Sequence, residues 1–241
     1  MAAMHPRRAP WWPEFRLGLR DAVPVFFAFF PLGVSFGMYA VALGLDWWWA
    51  PITALIVFAG SMEFLAAGML VAATPLGTVA TTALLVNARH VFYGLSVPLE
   101  RIRNPLLRGY AIHALTDEAY AVLGAQERDA LTGPRMLAVA VSHHFYWVAS
   151  TALGALAATA IPFDLEFMGF AMTALFVVLA LEALKRNREF GLFAAALVIG
   201  VAMALVAPEA MLLLALVVYA LLALAVVWLR RRGRGSRGAP I

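Results

Sequence analysis

An all-α, polytopic integral membrane protein is the fold class that this sequence predicts, on three observations. The 241 residues are 63% hydrophobic and 13% charged, a composition outside the range of soluble domains. The apolar residues gather into runs of about 20, the length that spans a hydrocarbon core. The charges collect in the gaps between these runs and at the ends. No polar stretch is long enough for a separate globular domain. The expected organisation is an N-terminal cytoplasmic segment 1–21, one helical membrane domain 22–229 and a basic cytoplasmic tail 230–241.

Eight apolar segments qualify, at 22–44, 50–73, 76–98, 109–125, 136–160, 167–184, 190–206 and 210–229. Six to eight of them cross if some are broken or re-entrant. Their separators carry turn chemistry or charge: Gly44-Leu45-Asp46, Thr74-Pro75, Asn104-Pro105, Gly133-Pro134, Ile161-Pro162, Lys185-Arg186-Asn187-Arg188 and Ala207-Pro208. Arg7, Arg8, Arg16 and Arg20 precede an apolar run too long for the core of a cleaved signal. That run reads as a first transmembrane helix and an uncleaved signal. The basic N-terminus, the 185–188 cluster and the Arg230–Arg234 tail place both termini in the cytoplasm by the positive-inside rule. Asp46, Asp164, Glu166 and Glu209 then face outward. One loop conflicts: if all eight segments cross, Arg101, Arg103 and Arg108 lie outside. They return inside if segment 50–73 or 76–98, and also 109–125, enter without crossing. Both topologies remain open, because non-helical backbone is tolerated at membrane depth where protein covers it or it lines a cavity.

Of the 18 Lys and Arg residues, only Arg89 sits inside an apolar run. A bilayer-centred Arg costs about 2.5–3.5 kcal/mol on insertion scales, so it marks a binding site or pathway by default. Its planar fork suits a carboxylate clamp. The competing role is a permanent ion pair with Glu63, Asp117 or Glu118. On a continuous helix Arg89 and Tyr93 share a face, as do Asn87 and His90. In the first segment, Pro31-Leu32-Gly33-Val34-Ser35-Phe36-Gly37 predicts a kink or break. Broken helices offer free backbone groups to substrates, whereas Gly33 and Gly37 also have the spacing of close helix packing. Phe58-Ala59-Gly60-Ser61 lets the second segment bend, and Glu63 follows at membrane depth. It suits a proton-coupling group or an Arg89 partner; the alternative is a neutral, hydrogen-bonded structural Glu.

In segment 109–125, Tyr110, His113, Asp117 and Tyr120 form a polar stripe on one face of a continuous helix. With Glu118 beside Asp117, and His113 four residues before it, a proton relay is the functional reading. Solvated charges at the interface are the alternative. His143 and His144 point about 100° apart on a helix, so an interhelical hydrogen bond fits at least one of them better than a shared site. Intramembrane metal chemistry through His90, His113 and His143 or His144 lacks a His-Glu-x-x-His motif. A hydrolase triad lacks a Gly-x-Ser-x-Gly elbow. The chain has no Cys, which excludes disulfides and thiol catalysis. No enzyme, cofactor or metal is expected. The net charge of +4 fits anionic lipid head groups rather than nucleic acid.

The ordered motifs Pro31-x-Gly33-x-x-Phe36-Gly37, Ala59-Gly60-Ser61-x-x-Phe64, Asn87-x-Arg89-His90-x-x-Tyr93-Gly94 and Leu115-Thr116-Asp117-Glu118 resemble the AzlC-type branched-chain amino acid permease family. These motifs cover roughly residues 15–155. The resemblance implies export of Leu, Ile, Val and sometimes Met, coupled to the proton or ion gradient, from the plasma membrane. It also implies a small hydrophobic partner subunit of the AzlD type. Arg89, His90, Tyr93, Asp117 and Glu118 match motif positions, while Glu63 departs from a pattern in which Gln is common. The expected carboxylate site is Arg89 with backbone at Pro31–Gly37, and the residues named for substrate are Gly33, Ser35, Phe36, Gly37, Ala59, Gly60, Ser61, Asn87, Arg89 and Tyr93. Glu63, His90, His113, Asp117 and Glu118 are the candidates for proton coupling or ion pairing. The alternative from another class is an accessory or sensory membrane subunit held by a structural ion-pair network.

Overall fold

The computed structural model describes residues 10–160 and 190–235, with Val177 and Leu184 besides. Segment 167–184, residues 161–166 and 185–189 and the extreme ends otherwise lie outside the described residues. Regular structure among the described residues is entirely helical: α1 (Trp11–Ala42), α2 (Trp49–Ile56), α3 (Gly60–Val71), α4 (Leu76–Asn87), α5 (His90–Ser96), α6 (Pro105–His113), α7 (Asp117–Gly124), α8 (Gly133–Ala160), α9 (Phe190–Val206) and α10 (Met211–Gly235). Short 3₁₀ turns occupy Leu99–Arg101, Arg128–Ala130 and Pro208–Ala210. Among these, α1 is the one helix long and apolar enough to cross a membrane by length and composition alone. The described residues form two compact units. One holds those up to Ala73 and those from Asn87 to 160; the other holds Thr74–Val86 and those from 177 onward.

The first unit is organised on a long seam between α1 and α8. Gly18 meets Arg135 and Ala138, Gly33 meets Ser150, and Gly37 meets Thr151 and Ala155. Partners advance together along both helices, so the two run parallel. The approach is too close for a side chain: a Cβ on Gly33 would collide with the Ser150 hydroxyl, and one on Gly37 with the Thr151 carbonyl. Small residues let the backbones touch, and dispersion then replaces side-chain packing. Polar links fasten the starting end. The Thr132 hydroxyl donates to Glu14 Oε2 at 2.8 Å, and Arg135 Nε to Asp21 Oδ2 at 2.6 Å.

Helix α1 fixes where the first helix begins and which reading of its glycines holds. It begins at Trp11 rather than near residue 22, so much of the N-terminal segment is helical. It also runs unbroken through Pro24 and Pro31. Proline withholds one N–H, and the Ser35 hydroxyl bonds back to the Pro31 carbonyl at 2.8 Å. With α8 filling the small-residue face, the packing reading of Gly33 and Gly37 prevails over the break. The helix stops in a Schellman arrangement, with Gly44 at φ +87° and Leu45 N–H donating to Ala40 O.

Segments expected as single helices at 50–73, 76–98 and 109–125 are each two helices. The first becomes α2 and α3. Helix α2 leaves the finishing end of α1, tied by Leu45 N–H to Ala40 O and Trp49 N–H to Asp46 O. It descends until Ala54 O meets His144 Nε2 at 3.3 Å. The chain turns at Phe58, φ +46°, and Ala59. Helix α3 then climbs back, with Gly60 against the Trp147 ring and Gly68 beside the Tyr39 hydroxyl.

Helices α6 and α7 form a second hairpin from the opposite end. Asn104 caps α6, its side-chain oxygen accepting from Leu106 N–H at 2.9 Å, with Pro105 in the first turn. The preceding turn lies at the start of α8, where Arg101 Nη1 donates to the carbonyls of Arg128 and Leu131. The helix rises to Tyr110, which bonds His144, and the chain turns over Ala114, Leu115 and Thr116. Thr116 caps α7, which returns to the starting end, where Gln126 accepts from Arg135. Leu99, Ile102, Ala111, Leu115, Ala119 and Leu123 pack this hairpin on Met136, Leu137 and Val139 of α8.

In the second unit α9 packs on α10, which continues through Arg234 to Gly235. The arginines expected as a tail therefore extend its final turns as far as that residue.

Candidate functional site

Breaking a helix inside an apolar run places polar backbone and side chains where apolar ones are the default. The break between α4 and α5 falls at Ala88 and Arg89. There Arg89 Nε donates to both Asp117 oxygens, at 2.9 and 3.1 Å. The Tyr93 hydroxyl donates to Asp117 Oδ1 at 2.6 Å, and His90 Nε2 lies 3.7 Å from the same oxygen. Tyr120 stacks on Tyr93 with ring centroids 4.3 Å apart. Asp117, in the first turn of α7, is thus the acceptor on which three α5-side groups converge. Its side chain is 26% exposed and that of Arg89 43%, so the protein leaves the pair partly uncovered.

The partner of Arg89 is therefore Asp117 and not Glu63. Glu63 is 2% exposed and sits elsewhere in the unit. Its carboxylate accepts from Ala59 N–H at 2.8 Å and from Trp147 Nε1 at 3.1 Å to each oxygen. It closes the hairpin turn by satisfying the first backbone donor of α3. Neither Trp147 nor the Ala59 amide stood out in the sequence. The fourfold spacing from Ala59 to Glu63, a backward-reaching cap, was the signal available.

Asp117 and Tyr120 lie on α7, whereas Tyr110 and His113 lie on α6, so the expected single stripe does not exist. The intervening turn separates the two pairs. Tyr110 and His113 face His144 instead, with His113 and His144 rings 5.9 Å apart. His144 carries the interhelical bonds anticipated for one of the adjacent histidines. His143 faces α1, its ring 5.7 Å from Phe29, and neither nitrogen finds a partner among the described residues. No group of three metal-ligating side chains gathers among the described residues.

The remaining named residues divide in the same way. Gly33 and Gly37 are buried in the α1–α8 seam, and Phe36 packs between Phe64 and Trp147. Ser35 is engaged with Pro31. Ala59, Gly60 and Ser61 form the turn and first residues of α3, partly exposed. Asn87 ends α4, its Oδ1 inaccessible and without a partner among the described residues. Glu118 follows Asp117, half-buried. Arg135, which the sequence placed in a loop gap, is more enclosed than Arg89: its side chain is 12% exposed and paired to Asp21.

A family model described as AzlC protein matches residues 24–161, more than half of the chain and nearly all of the first unit. The chain belongs to the AzlC family. A protein named "Branched-chain amino acid transport protein AzlC" from Bacillus subtilis is 33% identical over 202 residues, covering 82% of this chain and 78% of the relative. An uncharacterized membrane protein of Helicobacter pylori strain J99 is 34% identical over 200 residues, 80% of this chain and 86% of its own. Inner membrane protein YgaZ of Escherichia coli is 28% identical over 204 residues, 81% and 83%. No solved structure matches. Two of these three relatives are named as membrane proteins and the third as a transport protein, and this AzlC-family chain is a helical membrane protein. The helix breaks that build the Arg89–Asp117 cluster fall within the matched region.

Proposed function

We propose that this chain is a multi-pass inner-membrane transporter that exports branched-chain or other small apolar amino acids. Its membrane domain is 22–229, with both termini cytoplasmic, and it works with a small hydrophobic AzlD-type subunit. The name of the B. subtilis relative supports the substrate class. The single observation that carries the site is the Arg89–Asp117–Tyr93 cluster at a helix break. Arg89 already holds a carboxylate, its single Nε–H shared between both Asp117 oxygens, and the same guanidinium suits a substrate carboxylate. Exchange follows from that geometry. A substrate carboxylate takes the place of Asp117 on Arg89, and Asp117 accepts a proton as it loses its cation. Arg89 is paired to a carboxylate in both states, and the one positive charge gained is the proton that enters with the zwitterionic substrate, which links substrate to proton. His90 and Glu118 flank Asp117 and hand the proton on. Tyr93, stacked on Tyr120, walls the cluster, while Gly33, Phe36 and Gly37 maintain the seam.

The accessory-subunit alternative is favoured by the same pair, if Arg89 and Asp117 never separate. Proteoliposomes holding the chain and its small partner, preloaded with labelled leucine, distinguish the two. Efflux that responds to an imposed pH gradient and disappears in Arg89→Ala supports the transporter. Folded protein with verified partner and no efflux or counterflow of leucine, isoleucine, valine or methionine sinks it.

A further inference from the structure

We propose that His144 is the positioning residue of the permeation barrier, joining the tips of two re-entrant hairpins that enter from opposite faces of the membrane. The first hairpin is α2–α3 and the second is α6–α7. Both ends of α2–α3 lie at the finishing end of α1, with Asp46 and Trp49 on one arm and Gly68 near Tyr39 on the other. Both ends of α6–α7 lie at the starting end of α1 and α8, near Arg101, Gln126 and Arg135. Neither pair crosses from one end of the seam to the other. This places Arg101, Arg103 and Arg108 on the same side as the basic N-terminus, which resolves the charge conflict in the sequence.

The tips meet within the length of α8, nearer its start than its end. At 1.5 Å per residue, His144 lies roughly 16 Å along a helix about 42 Å long. Its Nε2 faces Ala54 O of the first hairpin at 3.3 Å, and its Nδ1 faces the Tyr110 hydroxyl of the second at 3.0 Å. A carbonyl only accepts, so the proton sits on Nε2 and Nδ1 accepts from Tyr110. Phe58, at the turn of the first hairpin, stacks on the same imidazole with centroids 4.4 Å apart and lies 6.3 Å from His113 of the second. One side chain on a continuous helix thus holds both discontinuous elements. Such elements are where non-helical backbone is tolerated at membrane depth and where alternating access has something to move. The barrier role rests on the transport reading; the hairpin geometry does not.

The test uses the natural absence of cysteine. Single cysteines at Asp46, Ala72, Arg103 and Glu127 are labelled with a membrane-impermeant maleimide from either face of oriented vesicles. Asp46→Cys and Ala72→Cys are expected to label from one face, and Arg103→Cys and Glu127→Cys from the other. Opposite faces within either pair would overturn the hairpins, whether or not leucine moves. Leu115→Cys, buried at the second tip, then reports the barrier. Its labelling is expected to rise about tenfold with His144→Ala, the shift that loss of two interhelical hydrogen bonds predicts. His144→Gln, which retains a donor and an acceptor, should restore protection. Unchanged labelling in folded His144→Ala removes the positioning role, while absent leucine efflux with the expected labelling would fault only the transport reading.

Discussion

The α1–α8 seam keeps helix-disrupting residues inside a straight helix, while the segments between those helices break even at good helix formers. Pro31, Gly33, Ser35 and Gly37 leave α1 continuous, while Phe58-Ala59-Gly60-Ser61 and Ala88-Arg89 interrupt the chain. The difference lies in what satisfies the backbone. In α1 the glycines are covered by the backbone of a parallel neighbour, so straight helices gain contact along their whole length. At Ala59 a buried carboxylate takes the backbone donor that a continuous helix would have used, and Trp147 holds that carboxylate in place. A weak local preference becomes a break only where a distant side chain stabilises the broken form.

Four perturbations break or sharpen this contrast. The largest effect is expected from Gly37→Val, whose side chain has to displace the Thr151 and Ala155 backbone. Overpacking of this kind costs about 1–3 kcal/mol or more, and thermal unfolding in detergent should show a marked fall in midpoint. A wild-type midpoint would mean the seam is looser than described. Arg89→Ala comes next, with leucine binding abolished and the midpoint little changed, because the side chain is partly exposed. Retained affinity, measured by scintillation proximity, would remove the clamp. Glu63→Leu leaves the Ala59 and Trp147 N–H groups without their acceptor, at about 1–3 kcal/mol for an unsatisfied buried donor. Glu63→Gln keeps one acceptor oxygen and should cost much less; equal losses for the two variants would deny the capping role. The smallest structural effect is expected from Asp117→Asn, which preserves an acceptor for Tyr93 and Arg89 but not the charge. Gradient-driven efflux should fall more than substrate exchange, and equal loss of both would place Asp117 in folding rather than coupling.

The contrast also explains which residues were legible in advance. Arg89, Tyr93 and Asp117 stood out because charge and hydroxyl groups are costly inside apolar runs, and the structure brings them together. Arg89, in helical conformation at the N-cap of α5, and Tyr93 reach Asp117 together as their fourfold spacing predicts, whereas Asp117 opens α7 instead of continuing a helix from Tyr110 and His113. Glu63 stood out as unusual, and of the readings open for it the hydrogen-bonded structural Glu fits its partners, whereas the Arg89 pair does not form. An indole N–H 84 residues away leaves no periodic mark in a sequence. The Tyr110-to-Tyr120 stripe failed because a spacing rule presumes helix continuity, and Thr116 had the side chain to begin a new helix there.

Composition and run length alone determined an all-helical membrane protein, because apolar surface on that scale has no place in water and backbone in lipid bonds within its own helix. Charge placement also located the polar cluster, since each polar group in such surroundings requires a partner. Which partner it has, which runs stay straight and which turn back was decided by the tertiary structure. Those choices turn on a carboxylate reaching back to one amide, a histidine facing two hairpins and glycines meeting a neighbouring backbone. Each is a contact between residues distant in the chain, and its strength appears only when the packing holds both sides in reach.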